Sequence, residues 1–270
     1  MPVSVRYITD PACSASWAVE PSLRKLSMEF GEEVRFTYVM GGLARDYGPD
    51  DHSGMLVEWL ERAEDGMPLD PLLWEEGPLS SSYPACMAVK AAAEQAKAGQ
   101  LLRALREGLM CFRRKLDTTE ALVEEARRAG LDVERFRVDL GSHAVVEAFG
   151  TDLEEARAIP AEAHERDGVA EDGTRVVFPT ARFGDDRWVF GPQPYDAWRE
   201  AALAAGATPA GDGPPGVLDA LRRFGRMATA EVEVVCELPG PRAHAELWAL
   251  AADWKVKPVR VLTGWMWESG

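Results

Sequence analysis

The sequence predicts an α/β fold that carries a large helical insertion and a small C-terminal appendage. Three patterns carry this reading: a βαβ pattern over 3–40, an almost wholly helical stretch over 51–170, and a ββα pattern after it. With 270 residues, 46% of them hydrophobic, the chain can bury a full core and is too apolar for a disordered protein. One elaborated domain, or a domain with a small appendage, is the expected organisation.

The opening run 3–9 alternates and is β-branched, which reads as a strand. The segment Asp10 to Ser16 is a turn, 17–30 a helix and 33–40 a second strand, so the first two strands should be parallel with a right-handed crossover. Helices are then expected at 53–64, 84–112, 118–129, 133–140 and 142–156, with Gly130, Gly141 and Gly150 at C-cap positions. Strand character returns at 174–178, 181–183 and 187–190, and a helix follows at 194–204. The body is therefore assigned to 1–50 and 171–208, and the insertion to 51–170.

After the Gly- and Pro-rich run ending at Gly216 the composition changes, which marks a boundary and assigns 217–270 to the appendage. The net charge is −15, yet the tail from Val217 onward has seven basic and seven acidic residues, so the acidic surplus lies entirely in 1–216. Helices at 217–224, 229–238 and 241–253, followed by strands at 258–262 and 265–268, outline a winged helix. Its third helix carries Arg242 as its only basic residue, which is poor equipment for DNA. A docking module or dimer contact built on Trp248, Trp254, Trp265 and Trp267 suits the composition better. The acidic body also argues against nucleic acid or membrane surface as a main partner.

The segment DPACSASWAVEP, Asp10 to Pro21, is the most informative for chemistry. It sets Cys13 at the mouth of a helix directly after the first strand, where free backbone N–H groups and the helix dipole favour thiolate over thiol. The expectation is a depressed pKa and a nucleophilic Cys13. The competing reading is a buried, inert cysteine.

This order of elements, with a cysteine after the first strand, resembles the DsbA-like branch of the thioredoxin superfamily, and within it the cytoplasmic FrnE-like and YjbH-like proteins. These typically carry DPxCxxCW(A/G)xEP, and the chain follows that pattern except that Ser16 replaces the second cysteine. The run VVFPT, Val176 to Thr180, is similar to the segment that holds the family's cis-proline facing the active cysteine. The resemblance, which covers about 3–205, implies a thioredoxin fold, catalytic positions at Cys13 and Ser16, and substrate contacts from Pro179, Phe178 and Trp17. The start of the long insertion helix, Ser81 to Ala92, also looks like the family's.

Ser16 weighs most on function, because a mixed disulfide cannot be resolved internally without a second thiol. The first reading is a monothiol oxidoreductase or isomerase acting through Cys13, with no bound cofactor but glutathione or another small thiol as co-substrate. The second follows from the YjbH-like resemblance: an adaptor that hands a transcription regulator to an unfoldase-protease. A third, the kappa-class glutathione transferase type, typically has serine where this chain has Cys13. Cys86 is a remote candidate to resolve Cys13, and otherwise reads as core, as do Cys111 and Cys236. The four histidines show no metal-ligand spacing, and no phosphate loop, dinucleotide fingerprint or GxSxG is present. No signal peptide or membrane helix is expected, and four scattered cysteines suit a reducing cytoplasm.

Overall fold

The computed structural model describes residues 2–160, 177–211 and 213–270. Strand β1 (Val3–Thr9) leads through two short helices, α1 (Ser14–Ala18) and α2 (Glu20–Phe30), to strand β2 (Val34–Met40), which pairs with it in parallel. The single helix expected over 17–30 is thus broken at Val19. Pro21 supplies the reason: it has no N–H to donate to Trp17 and its ring crowds the preceding turn, so it is accommodated in the first turn of a new helix.

The insertion contains α3 (Pro49–Arg62), α4 (Leu73–Glu76), α5 (Tyr83–Ala93), α6 (Ala98–Phe112), α7 (Thr119–Arg128), α8 (Val133–Leu140) and α9 (His143–Arg157). The continuous helix expected over 84–112 is two helices, parted where Ala96 takes a left-handed φ of 55°. A tertiary contact places the start of α6, since a Cβ on Gly99 would lie 2.5 Å from the Tyr38 hydroxyl on β2. Only glycine lets α6 approach that strand. Helix α4 was not expected.

Strands β3 (Thr180–Phe183) and β4 (Arg187–Phe190) complete a four-stranded sheet in the order β2-β1-β3-β4, with β3 antiparallel to β1 and to β4. Helix α10 (Tyr195–Ala204) packs back against it through Trp198, which is fully buried beside Tyr7 and Phe183. Of the strand expected over 174–178, residues 174–176 lie outside the described residues, as does the end of the insertion, while Val177 and Phe178 are not strand.

The tail folds as α11 (Val217–Phe224), β5 (Met227–Ala228), α12 (Thr229–Val235), α13 (Gly240–Ala252), β6 (Val256–Val261) and β7 (Gly264–Ser269). Its sheet runs β5-β7-β6, all antiparallel, which is the helix-strand-helix-helix-hairpin order of a winged helix. The four tail tryptophans do not form one exposed patch. Trp267 is fully buried and its indole donates to Thr229 Oγ1 at 2.9 Å, Trp248 and Trp265 pack edge-on near it, and Trp254 is 90% exposed. Trp267 is therefore a core residue and not a docking contact.

A buried lattice of charges holds tail, insertion and body together. Arg103 of α6 meets Glu20 of α2 at 3.0 Å, Glu107 at 2.7 Å and Glu231 of α12 at 2.6 Å. Arg24 of α2 also pairs with Glu231 at 3.0 Å, and Arg226 of the tail pairs with Glu107 at 2.7 Å and with Glu268. Arg106, 1% exposed, pairs with Glu20. A second seam is made where Thr263 of the tail hairpin donates to Leu69 O at 3.0 Å and accepts from Leu69 N at 2.7 Å.

Removing one member of such a lattice strands its partners in the interior. Glu231→Gln is expected to cost about 3 kcal/mol, read as a lowered urea midpoint. Burial alone would raise the pKa of Glu20, but Arg106, Arg103 and Arg24 outweigh it and hold the carboxyl below its usual 4.5. That contribution is fully present above pH 4.5 and is lost as the pH falls below it towards the folded-state value. A urea midpoint that falls with acid in the wild type, and less steeply in Glu20→Gln, is the expected result.

Candidate functional site around Cys13

Strand β1 ends at Thr9 and Asp10 follows it, both fully buried, and the turn to α1 is built on the Asp10 side chain. Asp10 Oδ1 accepts the Ala12 N–H at 2.8 Å, while Oδ2 accepts from the Leu43 N–H at 2.6 Å, the Ser82 hydroxyl at 2.8 Å and the Cys86 thiol at 3.2 Å. Burial raises the Asp10 pKa, and these donors oppose the rise. One side chain thus ties the Cys13 turn to the loop after β2 and to the start of α5. Cys86 is spent as a donor to Asp10, with its own pKa pushed well up by burial, so its place is structural.

Cys13 is the N-cap of α1, with extended backbone at φ −83° and ψ 113°, and its Sγ accepts the Ser16 N–H at 3.4 Å. The thiol is 5% exposed and belongs to an apolar cluster with Ile8, Ala15, Val39, Ala156, Ile159, Val177 and Phe178. Burial pushes its pKa up to about 11; hydrogen bonds from the Ser16 side chain and backbone pull it down, and Glu58 and Asp10 push it further up. The depressed pKa expected for Cys13 is therefore corrected. A helix of five residues has little dipole to offer, and the hydrogen bonds from Ser16 do not offset the loss of solvent around a thiolate.

Ser16, fully buried, closes a chain of hydroxyls. Arg106 donates to Thr9 Oγ1, and Thr9 in turn donates to Ser16 Oγ at 2.8 Å. Because each hydroxyl has one proton, this order leaves the Ser16 proton for the Cys13 sulfur. Trp17 is 0% exposed, with its indole N–H on Pro68 O at 2.9 Å and the Arg103 guanidinium 4.5 Å over its ring. It cannot be the substrate contact that the resemblance implies, because it is sealed inside the insertion core. The periodicity of a short amphipathic helix does not say which side its one large aromatic faces.

The Phe178–Pro179 peptide bond is cis. Phe178 lies across Gly41, where a Cβ would come 2.2 Å from its ring, and this close approach is what the glycine after β2 permits. The Thr180 hydroxyl donates to Val177 O at 2.7 Å and Gly191 N–H to Pro179 O at 2.8 Å, fixing this segment against β3 and β4. Val176, the first residue of the VVFPT run, lies outside the described residues. Cys13, Ser16, Phe178 and Pro179 are thus gathered around one end of the sheet, and Trp17 is not among them. Sequence reasoning passed over Asp10, Thr9 and Arg106, although the Asp-Pro pair ahead of Cys13 is a turn signal from which an Asp side-chain turn can be anticipated.

A family model described as thioredoxin matches residues 7–182. The chain belongs to the thioredoxin family. Among curated relatives, the ClpXP adapter protein SpxH of Halalkalibacterium halodurans is 29% identical over 99% of this chain and 89% of its own length. The SpxH of Bacillus subtilis is 28% identical over 99% and 89%. Among solved structures, the cytosolic disulfide reductase DsbM of Pseudomonas aeruginosa has a TM-score of 0.56 at 20% identity, over 74% of this chain and 98% of its own. Among the described residues, no helix is long and apolar enough to cross a membrane.

In this thioredoxin-family chain the Cys13 thiol is enclosed and protonated near neutral pH. With a pKa of about 11, Cys13 holds about a hundredfold less thiolate near neutral pH than a thiol at the ordinary 9.0. Alkylation by iodoacetamide should accordingly be at least about a hundredfold slower at pH 7.5 than for a free thiol, with a rate that is still climbing above pH 10. Ser16→Ala removes one of the donors to sulfur and should move that pH profile further up.

Proposed function

We propose that this chain is a protein-binding adaptor of the SpxH kind, which presents a protein client, such as a transcription regulator, to a ClpXP-type unfoldase-protease. The observation that carries the reading is the enclosed Cys13 thiol, buried among apolar side chains with its pKa raised. A redox site needs an accessible thiolate and, for a dithiol cycle, a second thiol, where this chain has Ser16. The similarity to ClpXP adapters along almost the whole chain, tail included, supports the same reading. In this role the CxxS loop is a structural turn anchored by Asp10. An adaptor of this kind works in the cytoplasm, where four free thiols are at home.

The hydrogen bonds that Ser16 gives to Cys13 favour a second reading, in which Cys13 acts as a monothiol and glutathione resolves it. The two readings part in a reconstituted ClpXP degradation assay with a fluorescent client. For an adaptor, wild type and Cys13→Ala stimulate degradation equally, and the wild type shows no glutathione-dependent disulfide reduction. Loss of stimulation in Cys13→Ala, or a glutathione-dependent reductase activity that this variant lacks, overturns the adaptor reading in favour of the thiol.

A further inference from the structure

A cavity of about 320 Å³ lies where α2, β2, α6 and α11 meet, and none of its walls belongs to the Cys13 cluster. One wall is aromatic: the rings of Phe36 and Tyr38 on β2 lie nearly parallel, 21° apart with centroids at 6.4 Å. The facing wall is Phe224 of the tail, whose ring carries two guanidinium groups, Arg24 at 5.2 Å and Arg223 at 5.5 Å. Arg106 lines the cavity as well, and its buried Nε has no hydrogen-bond partner among the described residues. Such an orphaned donor is costly to bury.

The charges around the cavity do not cancel. Arg24, Arg103, Arg106 and Arg223 line it with one carboxylate, Glu20, and Glu107 and Glu231 pair with these arginines from outside it, which leaves one positive charge over. The surplus falls at the cavity. Arg223 donates to Ser27 O at 3.0 Å and, among the described residues, has no carboxylate within ion-pair distance. Among the described residues Arg24 has Glu231 as its one ion-pair partner, and burial together with Arg103 lowers its guanidinium pKa.

The geometry points to a binding site for a small organic monoanion with a flat apolar body, of the aromatic carboxylate class. The aromatic walls take the ring, and Arg24 and Arg223 at the Phe224 end take the carboxylate. A carboxylate suits a surplus of one charge, whereas a phosphate dianion brings more charge than this half-apolar cavity balances. Since the walls come from the body, the insertion and the tail, a bound ligand would clamp all three.

Isothermal titration of the full chain with 1-naphthoate at low ionic strength, with neutral 1-naphthamide as the control, tests the site. One-site, saturable binding of 1-naphthoate is expected, with 1-naphthamide about tenfold weaker or worse. Arg223→Glu, a change on the exposed rim, should weaken 1-naphthoate about fivefold. Ser27→Trp, checked for folding by circular dichroism, should block the cavity, and Cys13→Ala should change nothing. Absent saturation, equal affinity for the amide, unchanged affinity in Arg223→Glu, or loss of binding in Cys13→Ala overturns the proposal.

Discussion

Arg103 is the charge on which the rest of the structure turns. Its guanidinium is shared among Glu20, Glu107 and Glu231, and it lies over Trp17, so one side chain touches the body, its own insertion helix and the tail. A buried ion pair gains little over a well-packed apolar pair, since desolvation offsets most of the attraction. What the lattice does impose is a single arrangement, because any displacement of α12 or α6 leaves an interior charge without its partner. The tail is for this reason part of the fold and not a loosely tethered module.

The same lattice reaches the Cys13 turn. Glu20 links Arg103 to Arg106, and Arg106 passes a donor to Thr9, which passes one to Ser16 beside the sulfur. The serine that stands in the place of a resolving thiol is thus the end of a hydrogen-bonded chain that starts at the tail. Two effects compete at Cys13, and their sizes differ. A five-residue helix and the Ser16 hydroxyl and amide favour thiolate weakly, whereas enclosure by Ile8, Val39, Ile159, Val177 and Phe178 disfavours it strongly. Desolvation wins, and the thiol stays protonated near neutral pH.

Much of the fold was legible in the residues because it is written in local terms. The alternation of 3–9, the Asp-Pro turn and the amphipathic helices of the insertion depend on neighbours a few positions away. Errors arose where distant contacts intervene. The break at Ala96 answers to Gly99 meeting Tyr38 on another element, and Trp267 is buried because the tail helices cover its face of the hairpin, whereas Trp254 stands exposed in the turn between α13 and β6. Only the break at Val19 had a local signal, in Pro21, that the helical periodicity around it masked.

By itself the sequence determined the class of fold, the register of Cys13 with Ser16 after the first strand, and the tail's outline of three helices and a hairpin. Each of these rests on periodicity, turn chemistry or residue identity, which act over short range. The tertiary structure alone decided that the thiol is enclosed, that Trp17 is core, and that Asp10 and Arg106 organise the site from 72 and 97 positions along the chain in their contacts with Ser82 and Thr9. The physical reason is that burial and charge pairing are properties of the space around a group. That space is assembled from segments whose sequence says nothing of where they will meet.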